Sequence, residues 1–370
     1  AVIIDPADIE DRSDEMEEAV IDDELIEIDE KEEVPTSSVP EIVKGVYVTG
    51  WAAGSQTYND YLFDLIEGTG INSVIIDVKD YSGYLSYMSE VDEVVRYGAG
   101  QRRIGDVRGL IERLHEKEIY VIARITVFQD PVLATVRPDL AIKSKARLAS
   151  GLSGSAAIWR DRSGLGWVDP SSKEAWDYNI AISREALDLG FDEINLDYIR
   201  FPLDGSLADM SFPFWDGRNQ RRDVIREFYE YLRQELPDAV LSADLFGLST
   251  VNYDDLGIGQ VIEDAYPYFD YVAPMVYPSH YARGFLGFQN PAEHPYEVVR
   301  YSIATAAARL RIDGSDSKLR PWLQDFSLGA IYDESMVRDQ IRATVEGAGD
   351  GYAGYMLWNA RSRYTKEALR

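Results

Sequence analysis

The sequence predicts an α/β fold, a (β/α)8 or TIM barrel with long βα loops that follows an acidic N-terminal segment. Three observations support this fold. Eight short runs are rich in β-branched and aromatic residues, and stretches of helical periodicity lie between them. The region 41–370 also has a suitable length for one such barrel. A doubly wound sheet is the structural alternative, but such a sheet usually has fewer strands.

The first 40 residues differ in composition from the rest of the chain. They contain 16 acidic and 2 basic residues, which accounts for half of the net charge of −28. Large apolar residues are few there, and the segment ends in Pro and Ser. This composition predicts a flexible acidic linker or tail over 1–40 and a barrel domain over 41–370. An acidic interaction segment is the alternative interpretation of 1–40.

The eight predicted strands follow at regular intervals. In chain order they are GVYVTG from Gly45, SVIIDVKD from Ser73, YVIARITV from Tyr120, EINLDYIRFP from Glu193, VLSADLFG from Val240, YVAPMVYP from Tyr271, LRPWLQDF from Leu319 and GYMLWN from Gly354. The helical segments between them cover 57–68, 104–118, 170–190, 220–236, 258–269, 294–312 and 333–347. Two long segments, 128–169 and 202–219, follow strands three and four, and we expect them to wall a cleft at the carboxyl end of the barrel.

Strand parity predicts which side chains point into the barrel. In strand four, Ile194, Leu196 and Tyr198 are expected to face the helices, which leaves Asn195 and Asp197 inside. The same alternation places further polar side chains inside on the neighbouring strands: Asp77 and Lys79, Arg124 and Thr126, and Ser242 and Asp244. All lie toward the carboxyl ends of their strands. One buried charge could belong to a structural ion pair, but four successive strands that supply polar groups to one end predict a functional site.

Several classes of chemistry are disfavoured by composition. The chain has no cysteine, and His115, His280 and His294 all lie outside the predicted strands. Thiol nucleophiles and histidine-rich zinc sites are therefore poorly supported, and no cofactor or metal is predicted. The sequence has no basic stripe that would suggest a nucleic-acid partner, and it has no apolar run long enough to span a membrane. The sequence does not indicate an oligomeric state.

Carboxyl groups remain as acid, base and nucleophile, which is the chemistry of glycosidic cleavage. We expect Asp197 to be the nucleophile or base and Asp244 the general acid, with Asp77, Lys79 and Arg124 positioning the substrate and tuning charge. Retention and inversion of configuration both stay open. Alternatives to Asp244 are Asp325 and Asp80.

Side chains at the strand ends also suit a carbohydrate ligand. Sugar rings pack their C–H faces on aromatic side chains, and Tyr277 and Trp358 lie at the ends of strands six and eight. Sugar hydroxyls need polar partners, which Asn195, Arg200 and Gln324 can supply. The predicted partner is therefore a carbohydrate substrate.

Four segments of the chain carry a family resemblance: GVYVTGWAAGS, INSVIIDVKDYSGYLSY, the stretch from WVDPSSKEAWDYN to DYIRFP, and YMLWN. They resemble a bacterial family of barrels classed with the glycoside hydrolases and catalogued as a domain of unknown function, over about Ile42 to Trp358. The resemblance implies a (β/α)8 fold related to amylase-type and α-galactosidase-type barrels, in which an acid at the end of strand four is commonly the nucleophile. Asp197 occupies that position. The family pattern often has Gln where this chain has Asn195.

Three functions follow as hypotheses. The first is a glycoside hydrolase that acts on a polysaccharide or oligosaccharide through two carboxyl groups. The second is a carbohydrate-binding barrel without catalysis, and the third is a metal-dependent lyase-type barrel in which Asp77, Asp197 and Asp244 hold Mg²⁺. An acidic spacer before the barrel favours the cell envelope or exterior as the location, with the cytoplasm still open.

Overall fold

A computed structural model describes residues 39–370. The predicted acidic segment 1–40 lies outside the described residues, except for its last two positions. Within 39–370, no helix combines the length and the apolar character needed to cross a membrane.

Eight strands form the barrel, and each starts within two residues of a predicted run. They are β1 Val43–Val48, β2 Ser73–Lys79, β3 Tyr120–Thr126, β4 Glu193–Asp197, β5 Leu241–Phe246, β6 Tyr271–Met275, β7 in two pieces (Lys318–Leu319 and Trp322–Gln324) and β8 Gly354–Trp358. Pro321 lies between the two pieces of β7, where it lacks the N–H that a continuous ladder requires.

The strands close into a parallel barrel, which confirms the predicted fold class. Each strand pairs in parallel with its neighbours in chain order, and β8 pairs with β1 from Val43↔Gly354 to Val46↔Leu357. The split strand β7 completes the ring, since Lys318 is in register with Tyr271 of β6 and Trp322 pairs with both β6 and β8. All eight carboxyl ends therefore meet at one face.

The helices surround the barrel. They are α1 Gly50–Ala53, α2 Gln56–Glu67, α3 Asp92–Tyr97, α4 Val107–His115, α5 Pro131–Val136, α6 Lys145–Ala149, α7 Lys173–Asp188, α8 Arg221–Glu235, α9 Ile262–Ala265, α10 Pro295–Asp313 and α11 Glu334–Ala348. Six of the seven predicted helical segments are confirmed over most of their length. The prediction over 258–269 is wrong in extent, because only the four residues of α9 are helical there.

Two apolar cores result from strand alternation. The larger lies between the strands and the helices and includes Val74, Ile194 and Leu196. The smaller fills the barrel and includes Ile75, Ile122 and Trp322. Polar side chains on the inner face therefore lie above and below a packed apolar layer, as expected for a barrel that is filled rather than hollow.

The two long segments after β3 and β4 are joined to each other. Lys143–Ser144 pairs antiparallel with Met210–Ser211. Asp209 strengthens this link, since its carboxylate accepts hydrogen bonds from the Ser144 hydroxyl (2.5 Å) and from the Ala146 N–H (2.8 Å). We call these two linked segments the cleft loops.

Candidate active site

Arg124 of β3 lies at the centre of a carboxylate cluster at the carboxyl end of the barrel. Its Nη1 is 2.5 Å from Asp77 Oδ1, its Nη2 is 2.5 Å from Asp197 Oδ2, and its Nε is 3.7 Å from Asp244 Oδ2. The strand register explains this arrangement. Asp77 and Arg124 are in register across β2 and β3, and Asp197 of β4 and Asp244 of β5 point into the barrel from the next two strands. The sequence prediction that these four side chains converge is confirmed.

The electrostatics of the cluster follow from three acids around one base. Burial works against the charged guanidinium, but Asp77, Asp197 and further acidic neighbours outweigh it and raise the pKa of Arg124. Burial also raises the pKa of Asp77, although Arg124 and a hydrogen bond from the Tyr47 hydroxyl oppose that change. One guanidinium therefore does not offset the effect of burial on the Asp77 carboxyl group.

Asp244 is the most perturbed acid of the cluster. Burial and the nearby charge of Asp197 raise its pKa well above the ordinary value, against opposing effects of Arg124, Asn195 and Trp322. Its Oδ1 accepts hydrogen bonds from Trp322 Nε1 (2.7 Å) and Asn195 Nδ2 (2.8 Å), while Oδ2 has no hydrogen-bond partner among the described residues. These features favour the protonated form of the Asp244 carboxyl group.

A pocket of 610 Å³ opens above the cluster. Asp197 and Asp244 both line it. Asp244 lies at its floor and is only 1% exposed. Trp358 and Tyr277 are aromatic components of the wall, and Trp358 stacks on Tyr47 at a ring-centroid distance of 4.0 Å. This combination of aromatic faces and convergent polar groups is typical of a small-ligand site.

The predicted site residues divide into three groups. Lining the pocket are Asp197, Asp244, Arg124, Arg200, Tyr277 and Trp358. Asp77 and Asn195 lie beneath it, each in hydrogen-bond contact with a residue that lines it. Lys79 and Gln324 do not reach it.

The predicted inward orientation of Lys79 is wrong. A β-bulge between Asp77 and Lys79 adds one residue to β2 and so reverses the alternation beyond it. Lys79 Nζ instead donates to Asp130 Oδ2 (2.8 Å) and to Asn179 Oδ1 (2.7 Å) of α7. It forms a buried polar contact between strand and helix.

Gln324 is also absent from the pocket wall. Its Oε1 accepts hydrogen bonds from the Ser279 hydroxyl (2.8 Å) and N–H (3.2 Å), so it holds the loop that follows β6. Of the alternative acids, Asp325 accepts hydrogen bonds from the N–H and hydroxyl of Thr365, and Asp80 pairs with Arg103. Neither lines the pocket.

Tyr198 contradicts the parity prediction for the end of β4. Its φ is +54°, a left-handed conformation that is rare for a large side chain, and the ring lines the pocket instead of facing the helices. Sequence inspection also missed Tyr47, Trp322 and His280, which contact the cluster or line the pocket. Parity applied to β1 would have found Tyr47, because it lies between the outward residues Val46 and Val48.

The Mg²⁺ hypothesis does not fit this arrangement. Asp77, Asp197 and Asp244 surround the Arg124 guanidinium, which occupies the central position that the hypothesis gives to the metal. Across residues 39–370, no group of three or more His, Cys, Asp or Glu could hold a metal ion.

Comparison with known proteins supports both the barrel fold and a protein class, the glycosyl hydrolase domains. The model of a family described as "Putative glycosyl hydrolase domain" matches residues 45–364. A hypothetical protein from Ruminiclostridium thermocellum is 38% identical over 57% of this chain and 98% of its own, with a TM-score of 0.48. No curated protein matches.

Two enzymes share the barrel at low identity. α-L-fucosidase isoenzyme 2 from Paenibacillus thiaminolyticus is 14% identical over 89% of this chain, with a TM-score of 0.56. An α-galactosidase from Thermus thermophilus, solved with stachyose, is 12% identical over 90%, with a TM-score of 0.50. This chain spans 47% of the fucosidase and 64% of the galactosidase, so the likeness concerns the fold of one part of each enzyme.

Proposed function

Because the chain belongs to this family of glycosyl hydrolase domains, the DUF4015 family, we propose that it cleaves a glycosidic bond with the two carboxyl groups of Asp197 and Asp244. The observation that carries the proposal is that both groups line one pocket and contact one guanidinium. Two carboxyl groups at one sugar, one charged and one protonated, are the requirement of the reaction.

Asp197 takes the role of nucleophile. Its ion pair with Arg124 Nη2 at 2.5 Å and the hydrogen bond that it accepts from the Tyr198 N–H (2.6 Å) orient the carboxylate at the end of β4. An oriented carboxylate that lines the pocket can attack the anomeric carbon as the bond to the leaving oxygen breaks.

Asp244 takes the role of general acid. Burial and the charge of Asp197 raise its pKa, which favours the protonated form that an acid needs before it can protonate the leaving oxygen. Contact of both carboxyl groups with one guanidinium favours the shorter of the two usual separations, about 5 Å, and hence a retaining mechanism. A glycosyl ester on Asp197 then forms. The Asp244 carboxylate takes a proton from a water molecule as that water hydrolyses the ester, so Asp244 is protonated again.

The test is a degradation screen on polysaccharides and oligosaccharides with the wild type and Asp197→Asn. We expect turnover by the variant to fall on the order of 10³-fold, because the amide is a poor nucleophile, while thermal unfolding stays similar. The matched control is Asp238→Asn, an exposed aspartate in the turn after α8, which should retain full activity. Undiminished turnover by Asp197→Asn would exclude the proposed role, and NMR of the first anomer released tests retention.

A carbohydrate-binding barrel without turnover is the second candidate. The observation in its favour is the burial of Asp244, whose Oδ2 is enclosed by neighbouring atoms. If it is correct, the wild type binds glycans in the screen but releases no reducing ends, and Asp244→Asn leaves affinity unchanged.

A further inference from the structure

A second cavity adjoins the pocket and is not used by the proposed chemistry. Its volume is 280 Å³, and it shares Tyr198, Arg200 and Leu203 with the main pocket. We call it the side cavity. Its size is near the lower end of ligand sites, which suits one sugar ring rather than an extended chain.

The walls of the side cavity are held in place by the cleft loops. Asp161 accepts hydrogen bonds from the Leu165 N–H (2.9 Å) and from Trp167 Nε1 (3.0 Å), which fixes the turn of the first loop. Asp204 of the second loop accepts a hydrogen bond from the Arg162 N–H (3.2 Å) of the first. The cavity is therefore formed before any ligand enters.

Gln129 presents an unpaired amide to the side cavity. Only 5% of the residue is exposed, and its side chain has no hydrogen-bond partner among the described residues. Neither amide atom is sealed in the protein interior, so both reach the cavity, where the amide can donate to and accept from a hydroxyl-bearing ligand.

Arg200 presents unpaired donors at the boundary of the two cavities. It is 9% exposed, and its guanidinium lies against the rings of Trp167 (4.8 Å) and Phe246 (4.9 Å). Within residues 39–370 it donates one hydrogen bond, to the Phe201 carbonyl (3.0 Å), and forms no ion pair. Its remaining N–H groups are available to a ligand that spans both cavities.

We infer that the side cavity binds a neutral sugar unit adjacent to the unit held in the main pocket, so that the substrate is an oligosaccharide or polysaccharide rather than a monosaccharide glycoside. The inference rests on the proposed function for the identity of the main pocket. Carboxylates outnumber cations in the side cavity, where Asp161 and Asp204 face Arg200, so a uronate would meet repulsion. Hydroxyl groups match the amide of Gln129, and the exposed ring of Tyr81 offers a face for the sugar ring.

The test measures binding without turnover, in an Asp197→Asn background. Neutral gluco-, galacto- and manno-oligosaccharides of one to four units, and uronic acid oligomers of the same lengths, are titrated by calorimetry. For the neutral series that binds, we expect affinity to rise at least about tenfold from one unit to two. Adding Gln129→Leu or Tyr81→Ala should remove most of that increment.

Stability measurements separate this role from a structural one. Gln129→Leu removes an amide that makes no hydrogen bond to the described residues, so thermal unfolding should change little while the increment is lost. Tyr253→Ala is the matched control, since Tyr253 is an exposed tyrosine that lines neither cavity, and the increment should persist.

The outcomes for this inference and for the proposed function differ. An increment that survives in both Gln129→Leu and Tyr81→Ala, a preference for the uronic acid series, or no binding of any probe would overturn the side-cavity inference. A gain in affinity that these variants remove, combined with no hydrolysis by the wild type, would support the second sugar site and exclude only the hydrolase mechanism.

Discussion

Two buried charge clusters lie inside the same barrel, and β4 contributes to both. At the lower end, Glu193 accepts hydrogen bonds from Arg320, from the Ser242 hydroxyl (2.6 Å) and from the Tyr120 hydroxyl (3.1 Å). At the upper end, four residues further along the strand, Asp197 belongs to the cluster around Arg124. The lower cluster has one acid and one base, both fully buried, whereas the upper cluster has three acids around one base and opens into the pocket. A buried ion pair is therefore not by itself a sign of function, but an excess of acids beside a cavity is.

The largest expected difference between the clusters concerns turnover. Arg124→Met removes the guanidinium that contacts Asp197 and Asp244, so we expect turnover to fall on the order of 10³-fold, about 4 kcal/mol of transition-state stabilisation. Steady-state kinetics on the substrate found in the screen measures the effect. Turnover within a factor of about three of the wild type would show that the charge excess has no catalytic role.

The matched change in the lower cluster should affect the free energy of unfolding but not turnover. Arg320→Met leaves Glu193 as a buried acid without its cation, so the free energy of unfolding should fall by about 3 kcal/mol, measured by urea denaturation. Turnover per folded molecule should be retained. The double variant Arg320→Met/Glu193→Gln should recover most of the loss, and a double variant no more stable than the single one would contradict the ion-pair explanation.

The third expected effect is a change of stability with pH that arises from Asp244. Burial raises its pKa, so the folded state binds this proton more tightly than the unfolded state does, and stability is lost as pH rises from about 4 through the raised pKa. Asp244→Asn should remove that loss, at about 1.4 kcal/mol for each unit by which the pKa is raised. Denaturation curves of both proteins at several pH values give the difference. A difference that stays constant with pH would mean that Asp244 titrates normally.

The smallest expected effect concerns backbone strain at Tyr198. Asparagine adopts a positive φ more readily than tyrosine, so Tyr198→Asn should relieve strain while it loses the packing of the ring against Trp167. We expect the free energy of unfolding to change by less than about 1 kcal/mol and KM to rise. Tyr198→Phe is the control for the hydroxyl group, and a KM that is unchanged in Tyr198→Asn would remove this residue from the site.

Alternation predicted much of the barrel and of the cluster from sequence. Asp77, Arg124, Asp197 and Asp244 all occupy unbroken stretches of strand, where a period of two fixes the face that each side chain takes. The family resemblance at strand four identified the same aspartate independently.

Two failures occur where the backbone departs from that period, since Lys79 follows a bulge and Tyr198 has a positive φ. Gln324 keeps the inward parity of Trp322, but its amide is engaged with Ser279 and with the Phe326 carbonyl. Bulges depend on how two strands fit each other, so one strand's sequence does not reveal them. The two cavities also depend on how distant loops pack together, which explains why Gln129 was not found from sequence.

The link between the cleft loops has a consequence for the engineering of this barrel. Since Asp209 and the short antiparallel pairing tie 143–146 to 209–211, we expect the two insertions to behave as one structural unit when either is replaced. A chimaera that imports one insertion alone would lose these partners, whereas transfer of both would carry the wall of the cleft, and with it substrate preference, onto a new scaffold.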